Sequence, residues 1–108
     1  MPATSRTKNK GPAVSREEVI EVLKGLLDPE LGIDVYTLGF VRRIDLDPAE
    51  LAIGLTMTLT SPLCPYGPRL VDEIEAGLRR LGLKKISVEF VFDPPWEPSA
   101  EVRQMLGL

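Results

Sequence analysis

The chain of 108 residues has no histidine and one cysteine, Cys64. If this protein handles a metal, a cluster or a sulfur atom with its own side chains, that single thiol is where the chemistry must concentrate. One cysteine permits no disulfide within the chain, which sets aside stapled secreted scaffolds. It also excludes a tetrahedral zinc site built from Cys and His within one subunit. No apolar run approaches the roughly 20 residues of a membrane span, and Met1 to Ala13 lack the apolar centre of a secretory signal. A soluble, cytoplasmic protein is expected. A basic surplus is missing as well. Net charge is −3, and residues 1–13 carry Arg6, Lys8 and Lys10 with no acid, so the remainder holds 10 basic against 16 acidic residues, a charge of −6. An acidic body argues against nucleic-acid binding, which needs a basic face to meet phosphates.

What is present fits one domain, since 44% of the residues are hydrophobic and 27% charged, enough for a modest core. Residues 1–13 are small, polar and basic, and read as a disordered tail; the folded domain is expected over 14–108. Ser15 and Glu18 have the spacing of a capping box, and Val19, Val22, Leu23, Leu26 and Leu27 share one helical face. The spacing predicts a first helix over 15–27, ended by Pro29. Asp28-Pro29-Glu30-Leu31-Gly32-Ile33-Asp34 then brings three carboxylates into seven residues. They are either turn chemistry or a cation- or partner-steering loop.

Phe40 to Asp47 reads as a strand whose alternation is broken by Arg42. After the turn at Asp47-Pro48-Ala49-Glu50, a cleaner strand sets Leu51, Ile53, Leu55, Met57 and Leu59 on one face and a ladder ending in Thr56, Thr58 and Thr60 on the other. The short connection makes the two an antiparallel hairpin. A second helix is expected over 65–81, starting either at Pro65 or at Gly67-Pro68, with Leu70, Val71, Ile74, Leu78 and Leu81 inward. A third strand over 84–92 directs Ile86, Val88, Phe90 and Phe92 inward. Because a helix separates it from the second strand, the two should run parallel. Ser99 caps a last helix with an apolar stripe of Val102, Met105 and Leu106. The expected fold is α/β (α+β): one α-β-β-α-β-α domain, a three-stranded mixed sheet with helices mainly on one face.

Two irregular segments stand out. Thr60-Ser61-Pro62-Leu63-Cys64-Pro65 holds the thiol between strand and helix, close to the positive end of the helix dipole, where a thiolate is favoured. Asp93-Pro94-Pro95-Trp96 fixes an aromatic side chain beyond the third strand. Parallel strands end at the same sheet edge, so Cys64 and the Asp93–Trp96 loop should be neighbours. Against these readings stand a packing cysteine and a Trp96 that covers the core.

Asp28-Pro29-Glu30, Leu38-Gly39, the run Thr56-Met57-Thr58-Leu59-Thr60 leading to Cys64-Pro65, and Asp93-Pro94-Pro95-Trp96 occur in the order that resembles the SufT/PaaD-like family of iron–sulfur assembly proteins, over about residues 16–108. The resemblance implies a fold like the C-terminal domain of NifU-type scaffolds and a role in maturing iron–sulfur proteins. It also implies that Cys64 is the reactive residue, with the carboxylates of Asp28, Glu30 and Asp93 in the motif loops. Taken with the residues beside the thiol, the expectation is that Cys64 is the metal ligand, supported by Asp28, Glu30, Asp93, Thr60 and Ser61, with Trp96 shaping the pocket. The chain departs from the family's pattern in three places: Leu63 where glycine is usual, Thr37 where an acid precedes Leu-Gly, and Tyr66-Gly67-Pro68-Arg69 at the helix start.

The expectation is therefore a non-enzymatic accessory factor in iron–sulfur cluster assembly or transfer to client proteins. One thiolate cannot hold a cluster, which takes about four cysteines. Iron or a cluster would be bound only transiently, with a homodimer, the assembly machinery or a client apoprotein completing the ligand set. The alternatives are an adaptor, for example in maturing a monooxygenase complex, in which Cys64 is incidental, and a redox-sensing thiol.

Overall fold

The computed structural model describes residues 14–108; the expected tail at 1–13 lies outside them. The elements are α1 (Arg16–Lys24), β1 (Val41–Asp47), β2 (Ala52–Met57), α2 (Gly67–Arg80), β3 (Lys85–Phe90) and α3 (Ala100–Leu106). The sheet order is β1-β2-β3, with β1 antiparallel and β3 parallel to the central β2. The α+β order is the one expected.

Ser15 and Glu18 form the reciprocal capping box: Glu18 N–H donates to Ser15 Oγ at 3.1 Å, and Ser15 N–H donates to Glu18 Oε1 at 2.9 Å. The helix ends at Lys24, three residues early, because Gly25 closes it with N–H donation to Val22 O at 3.1 Å. Leu27 is consequently off the helix, 57% exposed and bridged to Asp34. Val19 and Leu23 alone of the predicted stripe are fully buried.

Between Val41 and Arg43 the register slips by one residue, so Arg42 sits in a β-bulge and its break in alternation has a structural cause. Ile53, Leu55 and Met57 face the core, while Ala52, Gly54 and Thr56 are only half-buried on the other side. The threonine ladder is not uniformly outward. Once the chain leaves the sheet after Met57, alternation stops, and Thr58 is fully buried with its N–H donated to Phe40 O at 2.8 Å.

Helix α2 starts at Gly67 with Pro68 in its first turn, the later of the two expected starts. Leu70, Ile74 and Leu78 are buried, and glycines let the helix approach its neighbours. A Cβ at Gly77 would stand 2.6 Å from Val22 Cγ1. As the outer strand, β3 leaves Ile86, Val88 and Phe90 half-buried and ends two residues short of Phe92. In α3 Val102 is buried but Met105 is 55% exposed, so the apolar stripe is narrower than the spacing implies.

Candidate functional site

The segment after β2 is a succession of tight turns. Ser61 Oγ accepts from Leu63 N–H at 3.0 Å, Ser61 O accepts from Cys64 N–H at 3.1 Å, and Cys64 O accepts from Gly67 N–H at 3.4 Å. Serine suits this position because its hydroxyl caps the next turn without needing a longer side chain. The turns leave Leu63 89% exposed and Cys64 half-buried. Thr60 is exposed beside them.

Cys64 lines a cleft of about 370 Å³ with Leu59, Pro62, Gly67, Pro68, Val71, Phe90 and Phe92. Phe90 and Phe92 stack with centroids 6.4 Å apart. They line the same cleft because Val91 N–H, donating to Met57 O at 2.8 Å, prolongs the pairing to β2 at the edge where the Cys64 loop departs. Gly67 also shapes the cleft, since a Cβ there would meet Leu59 Cδ1 at 3.3 Å. A lone thiol in an apolar cleft can present sulfur to a partner while excluding water. It cannot complete a metal site: among the described residues no group of three or more His, Cys, Asp or Glu is placed to hold an ion.

Asp28, Glu30, Asp93 and Trp96 are not among the residues lining this cleft. Asp28 is 3% exposed, and its Oδ1 accepts from Glu30 N–H at 2.8 Å and Leu31 N–H at 2.9 Å. It is the pin of a turn, also closed by Gly32 N–H to Asp28 O at 2.8 Å. Glu30 contributes its backbone to that turn and is itself exposed. Trp96 Nε1 donates to Leu38 O at 2.7 Å, and its ring meets Phe40 edge-on at 5.4 Å. Leu38-Gly39 and Pro-Pro-Trp are thus partners of each other. Gly39 sits at φ 83, which favours glycine, and a Cβ there would stand 3.8 Å from the indole nitrogen. Asp93 is exposed. Neither Asp93 nor Trp96 is among the residues lining the Cys64 cleft; the third strand supplies Phe90 and Phe92 there instead.

Sequence reasoning missed Tyr66. Its hydroxyl lies 2.9 Å from Leu27 O and 3.2 Å from Glu73 Oε1, sharing its proton between them. Burial, then the Glu73 charge and the hydrogen bond to it, push this hydroxyl from 10.0 up to about 12. Tyr66 therefore ties the Asp28 turn to the start of α2, two residues beyond Cys64. The aromatic at a helix start was the only signal in the sequence.

Fold and loop together define a small α+β domain that presents one cysteine between a strand and a helix. Residues 16–90 match the iron–sulfur cluster assembly protein family, and the chain belongs to it. It is 42% identical over 82 residues to the Fe-S protein maturation auxiliary factor YitW of Bacillus subtilis (strain 168), covering 75% of this chain and 79% of that one. It is 39% identical over 72 residues to the Fe-S protein maturation auxiliary factor SufT of Staphylococcus aureus (strain USA300), covering 66% and 81%. Among solved structures, a conserved hypothetical protein of Thermotoga maritima superimposes with a TM-score of 0.77 at 35% identity, covering 91% of this chain and 99% of that one.

Proposed function

We propose that this protein is an accessory factor in iron–sulfur protein maturation, not itself an enzyme, and that Cys64 is its transient ligand for iron or a cluster in transit. The carrying observation is the placement of the only cysteine in an apolar cleft at the β2–α2 loop. The names of relatives as maturation auxiliary factors support the same reading. The cluster is cargo, and Cys64 contributes one sulfur to it. The remaining ligands come from outside the chain, either from a second copy or from a donor or client protein. The apolar walls protect the exchange from water, and Ser61 and Gly67 hold the loop in register. The site of action is the cytoplasm.

A second reading, a docking adaptor with an incidental thiol, draws on Leu63, which projects into solvent beside the cleft. Anaerobic reconstitution with ferrous iron and sulfide separates the two. The cargo reading expects a visible charge-transfer band in the wild type, with an increase in size if two copies share the cluster, and neither in Cys64→Ser. Equal spectra for the two proteins would refute the ligand role.

A further inference from the structure

The bulge in β1 has a consequence on the sheet edge away from β3 and its phenylalanines. Arg16, Tyr36, Val41, Arg42, Arg43 and Ile44 line a separate cleft of about 280 Å³. Three arginines lining one small concavity are unexpected in a chain of net charge −3. Lys24 does not line the cleft but stands over the ring of one residue that does, its Nζ 5.7 Å from the Tyr36 centroid. The acid bonded within the group is Asp45, whose carboxylate pairs with Arg43 Nε at 2.9 Å. Arg42 is different: its Nη1 is sealed from solvent and has no hydrogen-bond acceptor among the described residues. A buried donor without a partner is costly, more so on a charged group. A bulge is a means of re-aiming a side chain, and it is the bulged residue that carries this unpartnered donor.

The geometry points to a binding site for an oxyanion, a carboxylate or a phosphate, held by Arg42 with Arg16 and Arg43 and bordered by Tyr36. The guanidinium fork matches both groups with paired N–H donors. The source is either a small free anion or the acidic side chains of a partner protein. The site shares no lining residue with the Cys64 cleft and does not depend on the cargo reading.

Calorimetric titration of the full chain at low ionic strength tests it, with inorganic phosphate, citrate and a tetraglutamate peptide as probes. At least one probe should bind. Arg42→Gln should weaken binding about tenfold, the size of one charge-assisted hydrogen-bonded contact, and Arg16→Gln about threefold. Arg103→Gln on α3 and Cys64→Ser should leave it unchanged. Binding of the peptide alone assigns an acidic partner segment; binding of phosphate or citrate assigns a free anion. If Arg42→Gln fails to fold by circular dichroism, Arg16→Gln against Arg103→Gln decides. Failure of all probes to bind, or equal losses in the variants and the Arg103→Gln control, would overturn the proposal.

Discussion

The turn at Asp28 and the loop at Cys64 are alike in sequence, both short, proline-containing and placed before or after a helix, yet they fold to opposite purposes. Around Asp28 the polar groups are committed to the scaffold. The carboxylate takes two backbone N–H groups, its own carbonyl takes Gly32, and the Leu27 carbonyl takes Tyr66. Around Cys64 the backbone is tied down by Ser61 and Gly67, but the side chains are left over: Leu63 points into solvent, and the thiol borders an open apolar cleft. A motif residue that is buried and doubly bonded holds the fold together. One that is positioned but unpaired is available for chemistry. By that criterion the described motif residues divide, with Asp28 and Trp96 on the first side and Cys64 on the second.

Substitutions probe this division in order of expected cost. Trp96→Ala removes both the indole bond to Leu38 O and the edge-on contact with Phe40. It should lower unfolding free energy by about 2–3 kcal/mol, below the full core value because the ring is only half-buried. Asp28→Ala leaves two N–H groups of a buried turn without an acceptor and should cost about 2 kcal/mol in urea denaturation, with Asp28→Asn recovering part of it. If either change is silent in stability, the scaffold side of the comparison fails.

Tyr66→Phe should cost about 1 kcal/mol and change the pH dependence. The folded-state pKa is raised from 10.0 to about 12, so the folded protein holds the phenolic proton more tightly than the unfolded chain. That contribution is fully present below pH 10 and is lost as pH rises towards 12. Stability of the wild type should therefore fall more steeply than that of Tyr66→Phe across this window, as read by denaturation midpoints at stepped pH. Cys64→Ser should be the mildest, within about 0.5 kcal/mol of wild type, since the thiol makes no bond the fold depends on. A loss as large as that of Asp28→Ala would move Cys64 to the scaffold side.

The periodic and capping signals were readable without coordinates. Ser15 and Glu18 announce α1, the alternation from Ile53 to Met57 announces β2, and the interposed helix makes β3 parallel. Cys64 was likewise marked by its irregular, proline-bounded surroundings. Less readable was what meets what over distance. Trp96 bonds a carbonyl 58 positions earlier and Tyr66 one 39 earlier, and no local pattern encodes either pairing. Hence the acidic turn left two readings open until Asp28 was seen to hold its own backbone. Parallel strands place the Asp93–Trp96 loop at the edge where Cys64 stands, and the parity of Phe90 and Phe92 names which side chains line the cleft there. Local backbone chemistry set the remaining differences: Gly25 shortened α1, and departure from the sheet after Met57 buried Thr58.

The central claim, that the scaffold is complete without the Cys64 thiol while the function is not, has a direct test in the maturation of a client iron–sulfur apoenzyme. Activity would be followed anaerobically with wild type or Cys64→Ser supplied at equal concentration, after both are shown to unfold at the same denaturant midpoint. The account predicts that the wild type restores client activity and that Cys64→Ser leaves it at the level seen without the factor. Full restoration by an equally stable Cys64→Ser would contradict it and leave the protein an adaptor.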